Sequence, residues 1–157
     1  MNKKIELFLF DVRSAHNVGS LFRSADCFGV EKIYLSHTTP GPLDRFGRAR
    51  TDIAKVALGA ESTIPFEHIE AEELVNQKKK EGFAIVCLEQ HTDAVAIQKY
   101  TPSKDLLLVV GNEVSGISDP LLTLADSIIY IPQYGSKESL NVSVAGGIAL
   151  HTLRSST

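Results

Sequence analysis

Short apolar runs alternate with amphipathic segments along almost the whole chain, and this alternation restricts the fold more than any other feature. Six runs rich in β-branched and aromatic residues have the length of strands, and they span residues 5–10, 32–35, 63–66, 83–88, 106–110 and 128–131. Strands that are apolar on both faces are typical of parallel sheets. The segments with helical spacing span residues 18–29, 52–58, 71–81, 119–125 and 140–153. The sequence therefore predicts an α/β domain with a mostly parallel sheet and helices on both faces.

Length and composition favour one soluble unit. A chain of 157 residues, 43% hydrophobic and 22% charged, suits one globular domain, and we expect a single domain over residues 1–157. No apolar run is long enough to span a bilayer, and residues 1–4 lack a signal-peptide pattern, so we expect a cytoplasmic protein without membrane attachment. The net charge of -3 argues against a surface coated in basic residues. Any contact with nucleic acid must come from a local patch.

Cysteine and histidine usage bears on metals and disulfides. Cys27 and Cys87 fall in apolar patterns, and we expect both to be buried thiols in a reducing compartment. Two cysteines are too few for a zinc site, and the histidines show no ligand spacing. We therefore expect no metal.

A first motif covers residues 17–23, where the first strand passes into the first helix. Ligands of open α/β sheets bind beyond the carboxyl ends of the strands, so Asn17 and Arg23 are candidate site residues. In the alternative interpretation, Asn17 caps the helix and Arg23 is a surface residue that pairs with Asp26. Glycine is costly in a first helical turn, and we expect Gly19 to clear room for a substrate.

A second motif covers residues 107–118, where an apolar strand runs into a turn. Gly111 permits close approach of a ligand to the backbone. Glu113 places a carboxylate at the same edge of the sheet. An ordinary strand–turn–helix connection explains these residues equally well.

A third motif covers residues 131–145. We expect Ser139 to cap the last helix and Asn141 to lie in its first turn, facing the loop. Gly146 and Gly147 lie inside that helix at a cost of about 1 kcal/mol each relative to alanine, which indicates that another backbone packs close by. The chain has neither a dinucleotide-binding glycine fingerprint nor a P-loop, so NAD or ATP binding of the usual kind is not supported.

Together the three motifs resemble the signature motifs of the SpoU family of SPOUT methyltransferases. The matching stretches are NVGSLFRSAD, VVGNEVSGIS and IPQYGSKESLNVSVAGGIAL, and KVALGAE resembles the TrmH branch. The resemblance implies an α/β fold with a deep C-terminal trefoil knot and a homodimer. It also implies an enzyme that uses S-adenosylmethionine to methylate a ribose 2′-hydroxyl of tRNA or rRNA. A non-catalytic RNA-binding or regulatory protein that retains the fold is the alternative.

The resemblance also assigns residues to roles. The catalytic positions are Asn17, Arg23, Glu113, Ser139 and Asn141. The cofactor-binding positions are Leu88, Glu89, Val110, Gly111, Asn112, Ile131, Gln133 and Leu140. Val114 and Gln133 stand where many relatives have glycine and methionine.

We expect no separate RNA-binding domain, and RNA binding needs phosphate contacts, which an arginine-rich segment can supply. Three arginines flank an aromatic residue over residues 45–50, a mixture that can contact phosphates and stack a base. The candidate RNA-binding residues are Arg13, Arg45, Arg48 and Arg50. A solvated charged loop is the alternative interpretation.

Overall fold

The computed structural model describes residues 2–157, which form one continuous sheet covered by helices. The strands are β1 (Ile5–Leu9), β2 (Ile33–Leu35), β3 (Phe66–His68), β4 (Ala84–Leu88), β5 (Val95–Ala96), β6 (Leu106–Val110) and β7 (Ser127–Tyr130). The helices are α1 (Ala15–Cys27), α2 (Thr51–Ala57), α3 (Ala60–Thr63), α4 (Ala71–Lys80), α5 (Asp119–Leu124) and α6 (Val142–Ser155). A short 3-10 helix spans Ile97–Lys99.

The sheet is parallel throughout, in the order β3-β2-β1-β6-β4-β7-β5. At the centre, Leu9 of β1 is aligned with Leu35 of β2 on one side and with Val110 of β6 on the other. The predicted parallel α/β architecture is therefore confirmed. Because all strands point the same way, their carboxyl ends meet at one edge, and the loops that follow them form one surface.

Side chains that alternate along β1 build two cores, one on each face of the sheet. Leu7 and Leu9 join a cluster with α1, α2 and α6, while Phe8 joins a cluster with α4 and α5. Glu6 is the polar exception in β1. Its carboxylate lies 2.6 Å from Lys78 Nζ of α4, and both side chains are nearly buried.

Several predicted boundaries were wrong. The third strand was predicted at 63–66, but residues Ala60–Thr63 form α3 and the strand is Phe66–His68. The last helix begins at Val142, with Asn141 rather than Ser139 as its N-cap. The first helix begins at Ala15, and its N-cap is Ser14 rather than Asn17.

Glycines determine how closely α1 packs against its neighbours. A Cβ added to Gly19 would lie 2.8 Å from Ile53 O of α2. This glycine therefore allows close packing of α2, and the expectation that it clears room for a substrate was wrong. A Cβ on Gly146 of α6 would lie 2.5 Å from Leu21 Cδ2 of α1. The last helix is closely packed, as predicted, but the neighbour of Gly146 is the Leu21 side chain and not the expected backbone.

The cysteines differ from expectation. Cys87 is buried in β4, and burial raises the pKa of its thiol to about 12. Cys27, predicted to be buried, is exposed at the end of α1. No helix within residues 2–157 has the length and apolarity needed to cross a bilayer. The knotted path that the resemblance implies for the C-terminal part stays a prediction.

Candidate active site

A cleft opens where β4, β6 and β7 end and α6 begins. All of the residues expected to hold a cofactor line it, namely Leu88, Glu89, Val110, Gly111, Asn112, Ile131, Gln133 and Leu140. Two of the expected catalytic residues, Glu113 and Ser139, line it as well. The cleft combines apolar side chains with the exposed backbone of three strand ends, which is the usual composition of a small-molecule site.

Glu113 is the most extensively hydrogen-bonded carboxylate of the cleft. It accepts from the backbone N–H of Ser14 at 2.9 Å and from that of Arg13 at 3.1 Å. Asn17 Nδ2 donates to its Oε1 at 3.2 Å. Burial raises the pKa of Glu113, but the hydrogen bonds from the Ser14 and Arg13 backbone outweigh burial, and the pKa lies below its ordinary value. Glu113 is therefore an ionised anchor for the turn that leads into α1.

Asn17 connects Glu113 to the start of α6. Its Oδ1 accepts a hydrogen bond from Asn141 Nδ2 at 3.1 Å, while its Nδ2 donates to Glu113. Asn141 in turn caps α6, because its Oδ1 accepts from the backbone N–H of Ser143 at 2.8 Å. One chain of side chains, Glu113–Asn17–Asn141, thus joins all three sequence motifs. Asn17 is 5% exposed, so its amide orientation is determined by these two partners.

Ser139 and Arg23 occupy different positions relative to this chain. Ser139 lies in the loop before α6 and lines the cleft. Arg23 lies on the exposed face of α1, and within residues 2–157 it is not part of the cleft lining. The predicted pair with Asp26 is also not formed, since the Asp26 carboxylate accepts from Thr63 Oγ1. The chain therefore brings four of the five expected catalytic residues together, and Arg23 lies outside the cleft lining on α1.

The turn after β6 is held by two polar side chains. Asn112 Oδ1 accepts from the backbone N–H groups of Val114 and Ser115 at 2.9 Å each. Glu89 Oε2 accepts from the N–H of Ile117 at 2.9 Å. Gly111 also has a role within this turn, because a Cβ there would lie 2.5 Å from the carbonyl carbon of Gly116. Its side-chain-free backbone allows the turn to fold back on itself.

Asp11 is a residue of this edge that sequence reasoning missed. It lies two residues after the end of β1 with φ 54°, a left-handed conformation that is rare for a non-glycine residue. Thr38 Oγ1 donates to its carboxylate at 2.6 Å, and this bond lowers the pKa of Asp11. Asn112 Nδ2 donates to its carbonyl at 2.8 Å. A carboxylate just after the central strand was the available signal, since ligand sites lie at that position.

The four candidate RNA-binding arginines lie on the loops of the same edge, and three of them are paired with acids. Arg13 pairs with Asp11, Arg48 with Asp44 at 3.2 Å, and Arg50 with Asp52 at 2.6 Å. In the part of the chain that the structure describes, Arg45 forms no ion pair. The positive charge of the segment is thus reduced, and Arg45 is its least compensated cation.

Comparison with known proteins settles the family. The model of the SpoU rRNA Methylase family matches residues 4–151. The chain belongs to the SpoU family. It is 31% identical over 151 residues to a tRNA (guanosine(18)-2'-O)-methyltransferase of Aquifex aeolicus, covering 95% of this chain and 68% of the relative. It is 34% identical over 149 residues to the 23S rRNA (guanosine-2'-O-)-methyltransferase RlmB of Coxiella burnetii, covering 94% of this chain and 57% of that relative.

The fold of this SpoU chain is also that of solved methyltransferases. An AdoMet-bound rRNA methyltransferase from Sinorhizobium meliloti superposes with a TM-score of 0.89 at 26% identity, over 99% of this chain and 57% of that one. The resemblance inferred from the three motifs is confirmed. The SpoU chain spans between about half and two thirds of the length of these relatives.

Proposed function

We propose that the protein transfers a methyl group from S-adenosylmethionine to a ribose 2′-hydroxyl of tRNA or rRNA, in the cytoplasm. The observation that carries the proposal is the chain Glu113–Asn17–Asn141, which unites the three SpoU motifs beside the cleft. Two relatives named as ribose 2'-O-methyltransferases, one of tRNA and one of rRNA, support the reaction class and the substrate class.

The cleft suits an adenosyl cofactor. Leu88, Val110, Ile131 and Leu140 provide apolar surface for a planar base, and the strand ends provide backbone donors and acceptors for its polar edges. We assign cofactor contact to these residues together with Glu89, Gly111, Asn112 and Gln133. S-adenosylmethionine supplies a methyl group on a sulfonium, which is already activated for transfer to oxygen and needs no metal.

The protein side chains orient the ribose and manage the developing charge. A ribose hydroxyl attacks only when its proton is removed or its negative charge is stabilised. Glu113 is a poor base, because its pKa is lowered and its oxygens already accept hydrogen bonds. We therefore assign Glu113 and Asn17 to positioning, and Asn141 and Ser139 to contact with the ribose. An arginine guanidinium carries a positive charge and has no acceptor, so Arg23 is assigned to stabilise the incipient alkoxide or to anchor a phosphate.

We further propose a homodimer in which Arg23 of one protomer completes the cleft of the other. Val144 and Ile148 are 50% and 39% exposed, and they lie one turn apart on α6. The same helix packs beside α1, since a Cβ on Gly147 would lie 3.4 Å from Ser24 Oγ. An apolar stripe thus borders the helix that carries Arg23. A second copy docked there would bury the stripe and deliver Arg23 to the partner's cleft.

Methyl transfer in vitro tests the function. Purified protein is incubated with S-adenosylmethionine labelled in its methyl group and with tRNA and rRNA from cells that lack the gene. The digested RNA is then analysed for 2′-O-methylnucleosides, and calorimetry measures cofactor binding separately. Label in a 2′-O-methylnucleoside supports the proposal. Label in a base contradicts the ribose assignment, and RNA binding without transfer points to a non-catalytic protein.

A further inference from the structure

The turn from Leu43 to Ala49 exposes an aromatic ring between two arginines. Phe46 at its tip is 66% exposed. We propose that this turn is a stacking platform that binds an unpaired nucleotide of the RNA, with Phe46 under the base and Arg45 on a neighbouring phosphate. The inference rests on the proposed function, because it takes RNA as the substrate. It concerns a nucleotide outside the cleft, since Phe46 is not among the residues that line it.

The backbone of the platform is held in place before any ligand binds. Asp44 Oδ1 accepts from the N–H of Phe46 at 2.8 Å and from that of Arg48 at 2.9 Å. The N–H of Asp44 donates to Arg48 O at 2.8 Å, and Leu43 bridges Ala49 in antiparallel fashion. Exposure of Phe46 is therefore a property of an ordered turn. A ring presented in this way loses little conformational entropy when a base stacks on it.

The chemistry around the ring favours a nucleotide over an apolar partner. The guanidinium of Arg45 lies 4.8 Å from the centre of the Phe46 ring, and that of Arg48 lies 4.9 Å from it. Arg48 is neutralised by Asp44, whereas Arg45 has no ion pair within residues 2–157. An aromatic ring beside an uncompensated cation provides stacking for a base and attraction for its phosphate.

The start of the same loop is hydrogen-bonded to residues of the candidate active site. Thr38 Oγ1 donates to Asp11, and Asp11 accepts in turn from Asn112 of the cleft. On the other side, His68 Nε2 of β3 donates to Thr39 O at 2.8 Å. The platform is thus anchored at the sheet edge that carries the cleft. A nucleotide stacked there would hold the RNA in a defined position while another ribose enters the cleft.

The absence of tryptophan from the sequence allows a direct test. Phe46→Trp introduces a single tryptophan, whose fluorescence is quenched when a base stacks on the indole. The variant is titrated with an RNA stem-loop and with a fully paired duplex of equal length. Val95→Trp is the matched control, because Val95 lies on β5 at the opposite edge of the sheet and is 44% exposed. We expect quenching by the stem-loop in Phe46→Trp alone.

Affinity measurements provide the second arm. Stacking of one base on an aromatic side chain corresponds to a roughly 5- to 150-fold change in affinity. Phe46→Leu should therefore weaken stem-loop binding by about that factor, whereas Phe46→Tyr should retain it. Cofactor affinity should be the same in both variants, so loss of stacking is distinguishable from loss of the proposed reaction. Unchanged RNA affinity in Phe46→Leu, or equal quenching in the Val95→Trp control, would contradict the proposal that a base stacks on Phe46. A protein partner would then be the occupant to test.

Discussion

Replacing Asn17 by aspartate tests the hydrogen-bonded chain Glu113–Asn17–Asn141 with an almost isosteric change. Asn17 is 5% exposed, and its Nδ2 lies 3.2 Å from Glu113 Oε1. In Asn17→Asp an oxygen takes the place of this donor, so a second carboxylate faces Glu113. The substitution removes a hydrogen bond to a charged group, which is worth about 1.5–3 kcal/mol, and adds a repulsion.

The repulsion depends on pH in a way that can be calculated. At the 3.2 Å separation of the present pair, two unit charges repel by roughly 5 kcal/mol at an effective dielectric constant of about 20. The two carboxylates avoid this repulsion by sharing one proton. Keeping that proton bound costs about 1.4 kcal/mol for each pH unit above the ordinary carboxyl pKa of about 4. The penalty is then roughly 1.4 kcal/mol at about pH 5 and approaches roughly 5 kcal/mol at about pH 7.5. The sign follows because the folded variant retains a proton that the unfolded chain releases above about pH 4, so its stability falls as pH rises.

Urea unfolding at the two pH values measures this difference. Relative to the unsubstituted protein, Asn17→Asp should lose about 3 kcal/mol more of its unfolding free energy at about pH 7.5 than at about pH 5. Asn76→Asp is the matched control, because Asn76 is exposed on α4 and should change by under about 0.5 kcal/mol. An equal loss at both pH values would refute the placement of Asn17 against an ionised Glu113.

Three further predictions concern the dimer, the RNA and the helix packing. Arg23→Ala should abolish methyl transfer and leave cofactor binding, measured by calorimetry, intact. Mixing this variant with Asn141→Ala under subunit exchange should restore transfer. Inactivity in confirmed heterodimers would contradict a shared site. Arg45→Ala should lower the slope of log affinity for RNA against log salt by about 1, and the acid-paired arginines of the same segment should lower it less. Gly146→Ala should lower the unfolding free energy measured in urea by about 1–3 kcal/mol, because its Cβ would meet Leu21 Cδ2 at 2.5 Å. Gly147→Ala should be neutral or stabilising, because its nearest neighbour would lie at 3.4 Å. Equal effects of the two substitutions would refute the packing argument.

The elements with unambiguous patterns could be predicted from the sequence. β6 has the predicted bounds, because five apolar residues in a row, followed by a glycine, are typical of a strand buried on both faces. The third strand was misplaced for a physical reason. Ile64 is buried and resembles a strand residue, yet it follows the helical turn Ala60–Thr63, and pairing with β2 begins only at Phe66.

The helix caps could not be assigned from local sequence. Ser139 and Asn141 are both good N-cap residues, and nothing within the loop distinguishes them. The structure selects Asn141, whose amide also reaches Asn17, a residue 124 positions away in the chain. Gly19 was misinterpreted for the same reason. The atom that requires a glycine there belongs to α2, which local spacing does not reveal.

The motifs predicted which residues form the site. The hydrogen bonds that connect these residues join distant parts of the chain and could not be predicted from the motifs. Asp11 shows why the connections matter. Its left-handed backbone, with φ 54°, is of a kind that costs about 1–3 kcal/mol, and bonds from Thr38 and Asn112 hold it there. The chain turns here after β1, and two backbone N–H groups further along the same turn, those of Arg13 and Ser14, donate to Glu113. The turn that contains Asp11 thus carries the donors that keep Glu113 ionised, and Glu113 in turn accepts from Asn17. A change at Asp11, which is not among the residues that line the cleft, should therefore disturb the cleft through Asn112 and Glu113.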